Sequence, residues 1–333
     1  MPVNRKITIL SFLQKHGWDS AKRWRLAGDA SFRKYDRLEG KSGNAVLMDA
    51  PPPHENVRSF VRIAQHLYSH GFSVPKVIAE DMEAGILLLE DLGDDTYTHL
   101  LAHGHDEREL YTLATDTLIA LHRLPEDQAI PNAVSPYDTA RLLEEVGRLL
   151  EWYMPLVNAS LLPSSVIDEY NSIWQSILPL AWKVPTSLIL FDYHVDNLLL
   201  LPERSGIRSC GLLDFQDAVA GPVTYDLMSL LEDARRDVSS TLSVYMKQRY
   251  LNAFSSLVPK DFETSWAVMA AQRHTRVIGT FARLKLRDGK PHYLQHIPRL
   301  WRYMDQCLIH PSLKDLKEWY SEYIPQALRV VIT

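Results

Sequence analysis

The chain has 333 residues, enough for one large domain or two closely packed lobes. Its composition, 46% hydrophobic and 23% charged, excludes a largely disordered chain, and its net charge of −5 gives no electrostatic basis for binding nucleic acid. No apolar run approaches the length of a membrane span. The polar stretch 1–6 is not followed by an apolar signal-peptide segment. The two cysteines, Cys210 and Cys307, form neither a metal-site spacing nor a disulfide framework, which predicts a cytoplasmic protein.

The N-terminal part alternates short apolar runs with turn residues, a pattern typical of β-strands. The elements predicted there are an amphipathic helix over 7–16 and strands over 24–26, 32–38 and 45–48. The turn before the second strand contains a single glycine, Gly28. It is therefore a weak match to a loop that covers phosphates, and a plain hairpin turn is the alternative.

A helix is predicted over 56–70, because its apolar residues recur with helical spacing. Gly71 follows in the position where a glycine often ends a helix. Two more strands are predicted over 74–78 and 86–89, so residues 1–91 form a mainly β region.

Residues 92–333 are predicted to be mainly helical. The helices expected from apolar spacing and breaker residues lie near 106–124, 140–153, 165–182, 223–236, 240–257, 262–287, 292–307 and 311–325. Ser135, Pro136 and Asp138 fit a helix start, as an N-cap, a first-turn proline and a first-turn acid.

The short apolar runs 198–201 and 210–213 flank turn residues and predict a buried β-hairpin. Asn197 lies just before the first run and Asp214 just after the second. Because the strands of a hairpin are antiparallel, we expect these two side chains at its open end. Asp192 lies five residues before Asn197, in the loop that leads to the same end. Capping of turns is the alternative interpretation for each residue alone.

An Asp, four residues, an Asn, a strand pair and then Asp-Phe is the arrangement found in kinases. At these positions the chain resembles the aminoglycoside-phosphotransferase-like branch of the protein-kinase fold. The resemblance implies that Asp192 is the catalytic base and that Asn197 and Asp214 bind Mg²⁺. It also implies that Asp226 braces the catalytic loop. We interpret His194, inside that loop, as structural support rather than as a proton-transfer group.

The similarity extends over most of the chain and narrows to a bacterial subgroup of kinases that act on the cell-wall amino sugars N-acetylmuramate and N-acetylglucosamine. The stretches that carry it, besides the hairpin, are 28–35, 46–52, 88–93 and 287–290. In the family the crossing between the lobes contacts adenine through backbone groups. The resemblance therefore implies that Glu90, Asp91 and Leu92 bind the nucleotide. It further implies ATP and Mg²⁺ as cofactors and a small-molecule hydroxyl acceptor.

The two residues that directly precede the predicted base differ from the family pattern. The branch usually has His-Gly there, and this chain has Leu190 and Phe191. After Asp214 and Phe215, the glycine usual in protein kinases is replaced by Gln216. These positions shape the backbone more than the chemistry.

A lysine that contacts the α- and β-phosphates is normally found on the third strand of this fold. Met48 stands at that position, and methionine carries no charge. Arg33 and Lys34 point to opposite faces of the preceding strand, so only one of them can face the nucleotide. We favour Arg33, which follows Ser31 and the phosphate-covering turn, whereas a solvent-facing Arg33 is the alternative.

The predicted helix over 262–287 is rich in basic residues in a protein that is acidic overall. These residues are Arg273, His274, Arg276, Arg283, Lys285 and Arg287. A solvated basic face is one interpretation. The other is that Arg273 or Arg276 lines the acceptor pocket and binds an anionic or hydroxyl-rich substrate, because guanidinium groups pair well with carboxylates.

We therefore predict an α+β, two-lobed protein-kinase-like fold. A small, mainly β nucleotide-binding N-lobe (1–91) precedes a large, mainly helical C-lobe (92–333) for catalysis and acceptor binding. The predicted reaction transfers the ATP γ-phosphate to a hydroxyl of a small molecule, and we favour the anomeric hydroxyl of an amino sugar. An aminoglycoside-type kinase and a nucleotide-binding pseudokinase that acts as an interaction module stay open as alternatives.

Overall fold

The computed structural model describes residues 2–26, 32–41, 43–158 and 162–329. These residues form two compact units, the first from 1–117 with 195–218 and the second from 118–194 with 219–333. The functional boundary predicted after residue 91 stays a prediction. None of the helices in the described ranges combines the length and apolar character needed to cross a bilayer.

The regular elements of the described ranges follow in chain order. The strands are β1 (Lys22–Arg25), β2 (Lys34–Gly40), β3 (Gly43–Asp49), β4 (Val77–Asp81), β5 (Ile86–Glu90), β6 (Thr186–Ile189), β7 (Leu198–Leu200), β8 (Cys210–Leu212) and β9 (Val219–Pro222). The α-helices are α1 (Pro2–Lys15), α2 (Val57–Ser69), α3 (Tyr97–Ala102), α4 (Glu107–His122), α5 (Glu126–Ala129), α6 (Thr139–Arg148), α7 (Met154–Val157), α8 (Ser164–Ile177), α9 (Thr224–Leu231), α10 (Ser240–Asn252), α11 (Pro259–Leu286), α12 (Ile297–Cys307) and α13 (Lys314–Tyr323).

The first unit contains an antiparallel sheet with the strand order β1-β2-β3-β5-β4. Residues 86–89 of the inner strand β5 are buried on both faces, which explains why β5 has a continuous apolar run instead of alternation. Helix α1 packs against one face through Phe12 and Leu13, which join a core that includes Leu47 and Leu88. The predicted strands and the α+β class are confirmed here, and β4 begins three residues later than predicted, at Val77.

The second unit is mainly helical and is built around α11. This helix has 28 residues, and most of its residues from Phe262 to Leu284 are buried, as expected of a helix enclosed by others. Gly279 allows a close approach to α6, since a Cβ atom there would lie 2.4 Å from the carbonyl carbon of Arg148. That carbon precedes a π-helical segment, Leu149–Tyr153, which extends α6.

The predicted N-cap at Ser135 is wrong. Helix α6 begins at Thr139, and the side chain of Asp138 accepts a hydrogen bond from the amide of Arg141. Ser135 instead accepts a backbone hydrogen bond from Ala220 at 3.0 Å. The segment before α6 is therefore held beside β9, which pairs antiparallel with β6.

Candidate active site

The first unit contains the predicted hairpin with both polar residues at its open end. Leu198 pairs with Leu212, and the amide of Leu213 donates to the carbonyl of Asn197 at 2.9 Å. Asn197 and Asp214 therefore lie side by side at the end of the hairpin where β7 begins and β8 ends. Their oxygen atoms are the hard ligands that Mg²⁺ takes from proteins, where one or two such groups suffice beside phosphates and water. The residues present thus fit Mg²⁺.

A cation lies next to Asp214 in the same unit. Nη2 of Arg33 is 3.5 Å from Oδ1 of Asp214, and its Nε is 3.6 Å from Oε2 of Glu55. Burial lowers the pKa of Arg33, but Tyr35, Asp214 and Glu55 outweigh burial and hold this pKa above its usual value. Burial in turn raises the pKa of Tyr35 to about 12. The guanidinium is therefore charged and close to a predicted metal ligand.

The other residues predicted near the phosphates have different surroundings. Lys34 begins β2 and is exposed, whereas Met48 on β3 is only 1% exposed. A buried thioether thus occupies the third-strand position, and it offers nothing to a phosphate. Ser31 and Gly28 lie outside the described residues.

Side-chain contacts within the first unit occupy the acidic groups of the segment predicted to contact adenine. Glu90 pairs with Arg204 at 2.6 Å, and Asp91 pairs with Arg37 at 2.7 Å. Asp91 also accepts the amide of Gly93 at 3.0 Å. These contacts hold the segment in place and engage the carboxylates of Glu90 and Asp91. A ligand that binds at 90–92 would therefore contact backbone atoms instead of these carboxylates.

The second unit contains Asp192, in a tight turn that follows β6. The amides of Leu190 and Phe191 donate to the carboxylate of Asp226 at 2.6 and 3.0 Å. The amide of Asp192 donates to the carbonyl of Leu190 at 3.0 Å, across Phe191 with its φ of 75°. Burial raises the pKa of Asp226 to about 7, although the two amide donors lower it.

His194 lies two residues further along and is 6% exposed. Its Nε2 is 3.5 Å from Nη1 of Arg235. Burial lowers the pKa of His194 well below its usual value, and the charges of Arg235 and Arg273 lower it further. The imidazole is therefore neutral near pH 7, as suits a supporting group.

Both arginines singled out on α11 are buried, so the solvated-face interpretation is wrong for them. Arg273 is 3% exposed and Arg276 is 9% exposed. Nη1 of Arg273 donates to the carbonyl of Glu232 at 3.3 Å, and its buried Nε has no hydrogen-bond partner within the described ranges. Arg276 donates from Nη2 to the hydroxyl of Tyr225 at 3.0 Å, and its Nε is 3.8 Å from Oε2 of Glu145.

Comparison with known proteins identifies the family. Residues 24–271, more than half of the chain, match the phosphotransferase enzyme family. The chain belongs to this phosphotransferase family. A relative from Caulobacter vibrioides, named N-acetylmuramate/N-acetylglucosamine kinase, is 36% identical over 98% of this chain and 98% of its own. A relative of the same name from Pseudomonas aeruginosa is 37% identical over 90% of this chain and 88% of its own.

Solved structures support the fold assignment for this phosphotransferase. A choline kinase from Streptococcus pneumoniae superimposes with a TM-score of 0.64, covering 92% of this chain and 100% of its own at 14% identity. At that identity the similarity concerns the fold, which is kinase-like. The predicted fold class and the prediction of a kinase are both confirmed.

The phosphotransferase also has charged residues near the predicted ones that the sequence analysis missed. Glu55, beside Arg33, directly precedes Asn56, the N-cap of α2. Glu145 lies on the buried face of α6, between the buried Leu142 and Val146. An acid within an apolar stripe is the signal that could have identified Glu145, because a buried carboxylate requires a partner.

Proposed function

We propose that this phosphotransferase transfers the γ-phosphoryl group of ATP to the anomeric hydroxyl of a cell-wall amino sugar, N-acetylmuramate or N-acetylglucosamine. The similarity to relatives with that one name, along 98% of both chains in the first case, carries the proposal. A cytoplasmic location and the absence of nucleic-acid binding stay predictions.

The first unit supplies the groups proposed for the donor. Asn197 and Asp214 would hold Mg²⁺, which neutralises charge on the ATP phosphates when bound. Arg33 is proposed as the cation that replaces the third-strand lysine, because its planar fork can span two phosphate oxygens. Its position 3.5 Å from Asp214 supports this role. Backbone groups of 90–92 are proposed to contact adenine.

Asp192 is proposed as the base. The carboxylate accepts the proton of the sugar hydroxyl while the hydroxyl oxygen forms its bond to the γ-phosphorus and the β–γ bridging P–O bond breaks, releasing ADP. The hydrogen bonds from Leu190 and Phe191 to Asp226 hold the turn that carries this carboxylate. Positioning contributes much of the rate in such reactions, so a fixed turn supports the role.

Arg273 is proposed to bind an anionic group of the acceptor. A guanidinium has five N–H donors, and buried charges are normally paired. The hydrogen bond of Arg273 to Glu232 uses one donor, and its Nε is buried without a partner in the described parts of the chain. N-acetylmuramate differs from N-acetylglucosamine by a lactyl carboxylate, a group with which a guanidinium pairs well. A preference for N-acetylmuramate is therefore expected.

A panel of acceptors tests the proposal. ATP consumption with Mg²⁺ is measured with N-acetylmuramate, N-acetylglucosamine, kanamycin and no acceptor. We expect turnover with the two amino sugars only, and a parallel preparation of Asp192→Asn controls for contaminating kinases. Turnover with kanamycin alone would support an aminoglycoside kinase. ATP binding without turnover on any acceptor would contradict the proposal.

A further inference from the structure

We propose that Arg276 is a positioning residue for Asp192 and acts through the aromatic ring of Phe191. The inference rests on the proposed function only in taking Asp192 as the base. It assigns a role to a buried cation and to an unusual backbone conformation within the second unit. Nothing in the reaction itself requires either feature.

The turn at Phe191 needs an external restraint. The hydrogen bond from the amide of Asp192 to the carbonyl of Leu190, together with a φ of 75° at Phe191, describes a three-residue γ-turn of the rare, strained type. Glycine adopts this backbone region readily, whereas a bulky residue does so rarely. A phenylalanine there stays in the turn only when its surroundings hold it.

Cations and aromatic rings surround the Phe191 ring. The guanidinium carbon of Arg276 lies 4.4 Å from the ring centroid, and that of Arg141 lies 5.0 Å away. Both distances are within the range of a cation–π interaction. Tyr225 stacks on the ring at 5.5 Å with an interplanar angle of 11°, and Tyr137 meets it edge-on at 5.5 Å.

Arg276 is itself held in place by other groups of the second unit. Tyr225 accepts its Nη2 hydrogen bond, and Glu145, whose side chain is 3% exposed, lies 3.8 Å from its Nε. Glu145 also accepts hydrogen bonds from Tyr137 and Gln272. A charged group so restrained can hold the Phe191 ring in one position. Its internal partners also distinguish Arg276 from Arg273, for which an acceptor group is proposed.

The comparison of Phe191→Ala with Phe191→Gly tests the restraint. Both variants remove the ring, but alanine keeps the strain at positive φ and glycine does not. We expect kcat to fall about 10²-fold in Phe191→Ala, the scale of a misplaced catalytic group, and less than about tenfold in Phe191→Gly. Equal losses in the two variants would contradict the proposal.

A double-mutant cycle tests the route from Arg276. Arg276→Gln should lower kcat by about 10- to 100-fold while the KM values for ATP and sugar stay within about threefold. In the Phe191→Gly background the same change should cost less than about threefold, because no strained turn remains to be held. A rise in sugar KM alone would overturn the positioning role, and so would an equal loss of kcat in both backgrounds. Arg283→Gln, about two turns further along α11, is the matched control.

Amide hydrogen exchange gives a readout that does not depend on the reaction. Exchange of the backbone amides at positions 190 and 191 should become at least about tenfold faster in Phe191→Ala and in Arg276→Gln. It should stay unchanged in Arg283→Gln. Unchanged exchange in the first two variants would overturn the proposal even if the sugar-kinase activity is found. Faster exchange would support it even if the acceptor proves to be another molecule. If Arg276→Gln fails to fold, the two Phe191 variants decide the question.

Discussion

Replacing Arg33 by methionine tests whether this residue supplies the cation that the third strand lacks. The change keeps an unbranched, flexible side chain, although a shorter one, and removes the charge and the hydrogen-bond donors. Met48 is buried and cannot take over the role, so we expect weaker ATP binding. The protein should still fold, because the side chains of the partner residues Glu55 and Asp214 are 19% and 31% exposed. Water can therefore hydrate their carboxylates when the guanidinium is removed.

The size of the effect follows from the hydrogen bonds that would be lost. A hydrogen bond to a charged group contributes about 1.5–3 kcal/mol. Since ~1.4 kcal/mol corresponds to a factor of ten, the ATP KM should rise about 10- to 100-fold. The pKa of Arg33 is held above its usual value by nearby acidic groups, so its charge, and the effect, should not vary across ordinary assay pH.

The assay is the steady-state KM for ATP at saturating acceptor and Mg²⁺, with thermal melting as a check on folding. Lys34→Met is the matched control, because Lys34 is the exposed neighbour in sequence. An unchanged KM in Arg33→Met, with a large rise in Lys34→Met, would refute the reasoning and move the role to Lys34. An unchanged KM in both variants would show that neither residue contacts the phosphates.

Three further predictions concern other groups. Asp214→Ala should abolish the Mg²⁺-dependent tightening of ATP binding in calorimetry, whereas the exposed Asp217→Ala should not; persistent Mg²⁺ dependence would make Asp214 a structural cap. Burial raises the pKa of Asp226 from 3.8 to about 7. The protonated carboxyl group therefore contributes its full stabilisation of the folded state below about pH 4, and this contribution is lost as the pH rises through 7. The free energy of unfolding, measured against Asp226→Asn, should fall by roughly 4 kcal/mol over that interval, and a flat difference would disprove the shift. Arg273→Gln should erase the preference for N-acetylmuramate without changing the ATP KM, and a preserved preference would exclude this role.

Elements with many periodic positions could be predicted from the sequence. Helix α2 was predicted over 56–70 and spans Val57–Ser69, because its apolar stripe and its cap residue are local signals. Strands β6 and β9 could not be predicted in this way. Each has four residues, and their pairing, such as that of Leu188 with Ala220, depends on contacts between distant parts of the chain.

The same distinction holds for the candidate site. Asn197 and Asp214 could be located because a short hairpin brings them to one end. The contact of Arg33 with Glu55 joins the segments that lead into β2 and α2, and no spacing rule predicts it. For the turn at Phe191, the only signal in the sequence is that phenylalanine stands where a glycine is usual. The positive φ of Phe191 is visible only in the backbone geometry.

The identity of the phosphorylated position tests the central claim most directly. The purified protein is incubated with ATP, Mg²⁺ and N-acetylmuramate or N-acetylglucosamine, and the product is examined by ³¹P and ¹H nuclear magnetic resonance. We predict a sugar phosphate whose phosphorus is coupled to the anomeric proton, formed about 10²- to 10⁴-fold more slowly by Asp192→Asn. A phosphate on another hydroxyl, or no sugar phosphate at all, would contradict the account.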